Sequence, residues 1–207
     1  MQNTLSAVTT AYGRFLQLLR PIDGIAPLLL RLYLAPVFMQ AGWNKLVNFE
    51  STAAWFGNPE WGLGLPLPGL MTALAAGTEF LGGLLLIAGL GTRVIAIPLA
   101  VTMVVAIFAV HWENGWLAVS DASSWLANER VEEAAARKAM AIELLKEHGN
   151  YAWLTGRGSI TILNNGIEFA VTYLFMVGTL LFTGGGRYLS LDYWVGRRLM
   201  PSGAPDS

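Results

Sequence analysis

Long apolar runs separated by short polar connections dominate the chain. Four of these runs approach the roughly 20 residues that a helix needs to cross the apolar core of a bilayer, which is about 30 Å thick. They lie at residues 25–46, 70–90, 94–112 and 160–182. The pattern predicts an all-α integral membrane protein in which these four spans form a four-helix bundle within residues 23–198.

The two ends of the chain differ from the spans. Residues 1–22 carry apolar side chains at helical spacing together with Arg14 and Arg20. This spacing predicts an amphipathic helix that lies on the membrane surface, and a disordered N-terminus is the alternative. Residues 199–207 are expected to form a disordered tail.

The first two connections have different characters. The second and third spans are separated only by the turn Gly-Leu-Gly-Thr-Arg at residues 89–93, which predicts a tight helical hairpin. Residues 48–69 contain Trp55, Trp61 and three prolines. Because Trp prefers the headgroup level of a membrane, we expect this first outer connection to lie along the interface as a loop.

Basic residues near the span ends predict the orientation of the bundle. If there are four spans, six such arginines fall on one side of the membrane: Arg14, Arg20, Arg93, Arg187, Arg197 and Arg198. Short basic segments remain on the cytoplasmic side of a membrane. Both termini are therefore expected to be cytoplasmic.

The second outer loop contains a helical insertion at residues 119–159. A helix is predicted from a cap at Ser123 or Ser124 to about His148, where Gly149 would end it. Two interpretations stay open: a surface helix that rests on the bundle, and a helix that docks a protein partner.

Composition narrows the function classes. The 207 residues are 54% hydrophobic and 13% charged, whereas about a quarter of the residues in a soluble domain are charged. The net charge is −1, and no basic stripe is present to neutralise phosphates, so we expect no nucleic-acid partner. The chain has no cysteine, which excludes disulfides, a thiol redox centre and iron–sulfur ligation by this chain.

Other cofactors find little support in the sequence. The chain has two histidines, and His148 lies in the insertion, so a membrane haem held by two histidines is not expected. No Gly-rich phosphate loop of the kind that binds nicotinamide cofactors occurs. His111 and the carboxylates lack a metal-ligand spacing. These absences argue against catalysis by this chain alone, and with the resemblance described below they favour an oxidoreductase-associated subunit over a self-sufficient enzyme.

Three ionisable residues lie within the predicted spans, where such groups usually face the protein interior and mark function. They are Arg31, Glu79 and Glu168. Glu79 lies roughly 14 Å from the outer end of its span. We expect Arg31 to be its counter-ion, because a buried pair is more stable than a lone buried charge, and a purely structural pair is the alternative. Gly82 and Gly83 predict close contact with another helix.

Further polar residues cluster towards the outer ends of the spans. Asn164 and Asn165 lie about one turn before Glu168 and are expected to orient it. The sequence thus predicts an outward-opening polar pocket. The candidate catalytic residues are Glu79, His111 and Glu168, and the candidate cofactor-binding residues are Arg31, Lys45, Glu113, Asn164 and Asn165. The alternative is that these groups bond one another and fix the packing.

Several motifs resemble those of the DoxX family of small bacterial membrane proteins. They occur in residues 31–46, 79–115 and 164–192. They include a Glu before a Gly pair, a Gly-Thr-Arg turn, His-x-x-Asn-Gly after the third span, and a final Gly-Arg-x-x-Ser-Leu-Asp. The resemblance implies a four-helix membrane bundle in a bacterial inner membrane. It also implies association with a terminal quinol oxidase or thiosulfate:quinone oxidoreductase, with redox-stress complexes, or with maturation of copper-binding peptides.

Three functions follow as hypotheses. The first is an inner-membrane accessory subunit of a redox system, with a quinone head group as the candidate ligand. The second is a non-catalytic scaffold or maturation factor that docks a periplasmic partner through residues 119–159, which lie outside the family's usual short loop. The third is a transporter of a small solute or metal ion. All three involve contact with the lipid bilayer, and all are compatible with a homo-oligomer.

Overall fold

The computed structural model of the chain describes residues 12–199 and consists of helices joined by short connections. The helices are α1 (residues 12–19), α2 (Ile25–Val47), α3 (Phe49–Gly57), α4 (Pro68–Ala88), α5 (Thr92–Val105), α6 (Glu129–His148), α7 (Tyr151–Leu154), α8 (Glu168–Thr183) and α9 (Leu191–Leu199). In this part of the chain, β geometry is limited to an isolated bridge between Val119 and Leu163. The all-α prediction is therefore confirmed, and the predictions for residues 1–11 and 200–207 lie outside the described residues.

Three helical stretches are long and apolar enough to cross a membrane. They are Ile25–Val47, Pro68–Ala88 and Thr92–Asn114. The third continues beyond α5 through a π-helical turn at Ala106–His111 and a 3-10 turn at Trp112–Asn114. These stretches correspond to the first three predicted spans.

The fourth apolar helix is shorter than its predicted span. Helix α8 begins at Glu168, whereas the span was predicted to begin at residue 160. Residues 160–167 are apolar enough to extend a span, but their backbone is bonded to another loop instead of to a helix. Asn165, at φ +60°, also has a left-handed conformation that ends helical geometry there.

The described chain divides into two compact units. The first comprises residues 12–100 and 176–199, and the second comprises Val101–Phe175. Helices α5 and α8 each contribute residues to both units.

The core of the first unit lies between α2 and α4. Two glycines allow these helices to approach closely. A Cβ atom on Gly42 would lie 2.5 Å from the backbone nitrogen of Phe80, and one on Gly83 would lie 2.7 Å from the carbonyl oxygen of Ala35. Gly82 instead faces Leu99 of α5. Gly82 and Gly83 therefore lie at close helix contacts, as the sequence indicated.

The first outer connection is partly helical, which the sequence did not predict. Helix α3 follows α2 after a break at Asn48 and packs against α4. The carbonyl oxygen of Asn48 accepts hydrogen bonds from the hydroxyls of Ser51 and Thr52, at 3.0 and 2.8 Å. The prediction of a loop throughout this segment was wrong, because local side-chain bonds at Asn48 allow a new helix to start.

Helix α6 dominates the second unit. Its N-cap is Asn128, whose side-chain oxygen accepts a hydrogen bond from the backbone N–H of Val131 at 3.1 Å. The predicted cap at Ser123 or Ser124 was wrong, because Ser123 donates to Asp121 at 2.6 Å within the preceding loop. The predicted end at His148 agrees with the structure.

Candidate functional site

A buried ion pair joins the first two spans. The ammonium group of Lys45 lies 2.6 Å from Oε2 of Glu79. The Glu79 side chain is 6% exposed, whereas that of Lys45 is 26% exposed. The pair therefore holds a carboxylate within the core and leaves part of the ammonium accessible from outside the protein.

The helix register explains why these two residues meet. Gly42 of α2 lies against the backbone of Ala76 and Phe80 in α4, and Glu79 is on the same turn, directly before Phe80. Lys45 is one turn beyond Gly42, so its long side chain reaches the carboxylate. The close approach of the helices thus places the pair inside their interface.

Arg31 is not the counter-ion of Glu79, so that prediction was wrong. Its guanidinium is fully buried and donates hydrogen bonds to five backbone carbonyls. Two acceptors, Leu86 and Ile87, lie in the last turn of α4, at 2.7 and 2.9 Å. Carbonyls in the last turn of a helix lack intrahelical partners, and the negative end of the helix dipole favours a cation there.

The other three acceptors of Arg31 lie in the segment before α9. Nη1 donates to the carbonyls of Gly185 and Tyr188, at 2.7 and 3.3 Å, and Nη2 donates to that of Leu189 at 2.8 Å. All five N–H groups of the guanidinium are thereby used. Arg31 therefore connects two segments of the chain and has no donor left for a cofactor.

Asp192 completes this connection. Its carboxylate accepts from the backbone N–H groups of Gly91 and Thr92, at 2.6 and 2.8 Å, and so caps the start of α5. The hydroxyl of Ser190 donates to the carbonyl of Gly89 at 3.1 Å. We call Arg31 with residues 86–92 and 185–192 the arginine latch. The Gly-Thr-Arg and Ser-Leu-Asp motifs both belong to it.

His111 has a defined orientation in the second unit. Its Nδ1 lies 2.8 Å from the carbonyl oxygen of Asn165. Because a carbonyl only accepts hydrogen bonds, Nδ1 must carry the proton. Nε2 is then the nitrogen through which His111 can accept a hydrogen bond or a proton. The residue ends a π-helical turn, a distortion that frequently accompanies functional sites.

Asn164 joins the two loops at the ends of the third span and α8. Its amide nitrogen donates to the carbonyls of Asn114 and Leu117, at 2.8 and 2.7 Å, and its oxygen accepts from Nε of Arg130 at 3.3 Å. Backbone bonds between residues 115–118 and 164–168 run beside these contacts. Gly166 fits here because a Cβ atom would lie 2.5 Å from the Leu117 carbonyl oxygen. We call these contacts between residues 114–118 and 164–168 the interlock. The interlock joins the His-x-x-Asn-Gly motif to the segment that starts α8.

Glu168 belongs to the same interlock. Its Oε2 accepts from the backbone N–H of Ala118 at 2.9 Å. Asn164 and Asn165 do not orient this carboxylate as predicted, because the Asn164 side chain bonds other groups and Asn165 contributes its backbone carbonyl to His111 and Asn114. Glu113 is exposed at the end of the third span.

The predicted site residues thus fall into two groups. Lys45, Glu79 and Arg31 lie in the first unit, whereas the candidates from the third span onward lie in the second unit: His111, Glu113, Asn164, Asn165 and Glu168. The sequence analysis missed the roles of Ser190 and Asp192. A signal was present, since Asp192 lies in the polar Ser-Leu-Asp motif, and an acidic side chain near a helix end is a candidate cap.

Comparison with known proteins agrees with this arrangement of motifs. The DoxX family model matches residues 26–112, which include Arg31, Lys45, Glu79 and His111. The matched segment ends before α8, so Glu168 and the C-terminal half of the arginine latch lie outside the matched residues.

A relative extends the comparison. The chain is 34% identical over 86 residues to a Bacillus subtilis (strain 168) protein named "Putative oxidoreductase CatD". The similarity covers 42% of this chain and 60% of that protein. No solved structure matches the chain.

Proposed function

We propose that this protein is an accessory subunit of a redox system in a bacterial inner membrane, and that its Lys45–Glu79 pair binds the head group of a quinone. The observation that carries the proposal is the 2.6 Å ion pair between the two spans. The name of the relative supports a redox role. An isolated carboxylate within a membrane span costs free energy, and ionisable groups in spans usually mark function. A carboxylate paired with a partly accessible ammonium is therefore suited to binding a ligand.

The residues of the pair have complementary roles in this proposal. The ammonium of Lys45 donates a hydrogen bond to a quinone carbonyl oxygen. Reduction of a quinone to a quinol takes up two electrons, which a redox partner supplies, and two protons. Lys45 hands one proton to one reduced oxygen, solvent supplies the second proton and reprotonates Lys45, and the carboxylate of Glu79 stabilises the restored ammonium. The chain therefore supplies binding and proton transfer rather than electron transfer.

Quinone content tests this role directly. Protein purified in a mild detergent is extracted with organic solvent, and quinone per mole of protein is measured by mass spectrometry. Wild type should be enriched in quinone relative to bulk membrane lipid. Glu79→Gln and Lys45→Met should lose most of the enrichment, whereas Glu50→Gln, at an exposed position of α3, should keep it.

A double variant separates a folding defect from loss of binding. Lys45→Met combined with Glu79→Leu replaces the ion pair by apolar groups of similar size, which usually preserves stability. It should fold and carry no excess quinone. Absence of enrichment in wild type, or full enrichment in this variant, would refute the proposal.

We further propose that α8 completes a four-helix bundle with both termini in the cytoplasm. The arginine latch supports this arrangement, because it brings together the beginning of α2, the α4–α5 turn and the segment after α8. Arg187, in that last segment, also pairs with Asp23 just before α2. When a chain crosses a membrane four times in alternating directions, three of its segments lie on the same side. They are the start of the first span, the turn between the second and third spans, and the end of the fourth span.

Reporter fusions test the topology. Fusions of alkaline phosphatase, which is active only outside the cytoplasm, are placed after residues 60, 92, 125 and 198. Activity is expected after residues 60 and 125 alone. Activity after residue 198 would show an odd number of crossings.

A docking role for the insertion is a second candidate function. Helix α6 exposes Met140 and Leu144, at 68% and 55%, beside acidic side chains such as Glu143. This surface suits a periplasmic partner segment with apolar and basic side chains. Met140→Ser with Leu144→Ser should then abolish co-purification of a crosslinked partner, while Ala136→Ser, on the same face, should not. Equal recovery from both variants would argue against docking here.

A further inference from the structure

A polar cleft in the second unit is separate from the Lys45–Glu79 pair and from the arginine latch. It has a volume of about 520 Å³ and lies between the start of α6 and the loops at residues 113–120 and 162–164. Small-molecule sites usually occupy roughly 300–1,000 Å³. The cleft is therefore large enough for a small polar ligand.

Charges of both signs line this cleft. Its acidic residues are Glu113, Glu129 and Glu133, and its basic residues are Arg130 and Arg137. Arg137 is engaged with Glu133 at 2.7 Å. This internal pair leaves two carboxylates and one guanidinium to meet a ligand.

Those three groups are not neutralised by one another. Over residues 12–199, neither Glu113 nor Glu129 takes part in an ion pair. Arg130 is held through Nε by the side-chain oxygen of Asn164, at 3.3 Å. Only Nε is used in this bond, so the N–H groups of the two terminal nitrogens of Arg130 are available to a ligand. A ligand with a cationic end and an anionic end would complement this arrangement.

Ser120 provides an independent observation. Its hydroxyl oxygen lies in the wall of the cleft, is buried, and lacks a hydrogen-bond partner among the described residues. Buried hydroxyls in proteins are nearly always hydrogen-bonded. A ligand oxygen at this wall would satisfy it.

The cleft also lies at the end of a membrane-crossing helix. Glu113 is within the last turn of the stretch Thr92–Asn114. Ile162 and Leu163 add apolar surface to the same cleft, and Leu163 is strongly exposed. A ligand there can place its polar part among the charges while its apolar part remains in the bilayer.

We propose that this cleft binds an ammonium–phosphate zwitterion, the head group chemistry of phosphatidylethanolamine. The ammonium lies between Glu113 and Glu129, and the phosphate accepts hydrogen bonds from Arg130 and Ser120. A primary ammonium has N–H donors for both carboxylates, which a quaternary ammonium lacks. The inference does not depend on quinone binding, since it uses none of the residues assigned to that role.

Short-chain lipids test the proposal on the full-length protein in detergent. Dihexanoyl phosphatidylethanolamine, phosphatidylcholine and phosphatidylglycerol are titrated separately, and binding is measured by native mass spectrometry. Wild type should bind the ethanolamine lipid at least about tenfold more tightly than the other two, which corresponds to about 1.4 kcal/mol. Equal binding of all three lipids, or no binding, would overturn the proposal.

Substitutions in the cleft test whether the preference for the ethanolamine lipid arises there. Glu129→Gln should remove the advantage over phosphatidylcholine, and Arg130→Gln should weaken binding of both lipids. Glu132→Gln, at an exposed position of α6 outside the cleft, is the matched control and should behave as wild type. A preference that survives in both cleft variants would also overturn the proposal.

Competition by free phosphoethanolamine identifies the source of the zwitterion. Competition at the concentration at which the lipid binds would indicate a soluble ligand of the same chemistry. Failure to compete, with the lipid preference intact, would indicate that the bilayer supplies it through contacts of its chains with Leu163. Each result supports the same site and distinguishes its occupant.

Discussion

Gly42 of α2 faces Phe80 of α4 so closely that a Cβ atom on Gly42 would lie 2.5 Å from the Phe80 backbone nitrogen. Real Cβ atoms do not approach a backbone nitrogen to that distance, so any side chain at residue 42 must push the helices apart. The same interface holds the Lys45–Glu79 pair. Residue 42 therefore controls both packing and the geometry of the ion pair.

The first prediction concerns this glycine. Gly42→Ala should destabilise the protein by about 1–3 kcal/mol, the usual cost of overpacking a tight interface. The free energy of unfolding, measured by titration with SDS in mixed micelles, gives the value. Gly77→Ala in α4 is the control, because a Cβ atom there meets nothing within 4 Å, and it should be neutral or slightly stabilising. Equal destabilisation by both changes would contradict the interpretation.

The second prediction concerns the arginine latch. Arg31→Met should lower the free energy of unfolding by about 3–5 kcal/mol, because it leaves buried carbonyls without donors. Arg31→Lys should restore only a part, since an ammonium has three donors and the guanidinium uses five. Arg157→Met, at an exposed position, should change little. Full rescue by lysine would show that charge alone matters.

The third prediction uses a double-mutant cycle on the ion pair. Lys45→Met alone should cost about 3–5 kcal/mol by leaving the carboxylate of Glu79 buried without its cation. Adding Glu79→Leu should recover most of that loss. The cycle is measured by the same unfolding titration, and a second change that adds further destabilisation would contradict a pairwise interaction.

The fourth prediction compares two adjacent asparagines. Asn164→Asp should destabilise the protein by about 2–4 kcal/mol, because a carboxylate oxygen would face the carbonyls of Asn114 and Leu117 where an amide N–H now donates. Asn165→Asp should be nearly neutral, since the bonds made by Asn165 use its backbone carbonyl. Thermal unfolding followed by circular dichroism distinguishes the two. Similar losses for both variants would mean that added charge, rather than lost donors, is responsible.

The lengths of the hydrophobic runs in the sequence were sufficient to predict most of the apolar helices. They located the three membrane-crossing stretches to within a few residues, because bilayer thickness fixes the number of residues needed. They failed for the start of α8, because Asn164 and Gly166 bond a distant loop, and hydropathy does not register such bonds.

The partners of charged residues were harder to predict than the helices. Glu79 was correctly placed inside the protein, but its partner depends on the register between α2 and α4, which Gly42 sets through backbone contact. Arg31 was assigned to the wrong partner because a carboxylate is the expected partner of a buried cation, whereas its acceptors are main-chain carbonyls, two of them in the last turn of α4. Every residue has a backbone carbonyl, so the sequence does not indicate which carbonyls will accept hydrogen bonds from an arginine.

The arginine latch has a consequence for synthesis of the protein. Arg31 and its acceptors in α4 emerge from the ribosome early, but Gly185, Tyr188 and Leu189 follow Arg31 by 154, 157 and 158 residues. Until those residues have been synthesised, three of the five N–H groups of the Arg31 guanidinium lack the acceptors that they have in the folded protein. The latch can therefore close only after the segment before α9 has been synthesised, which makes it a late step in the folding of the chain.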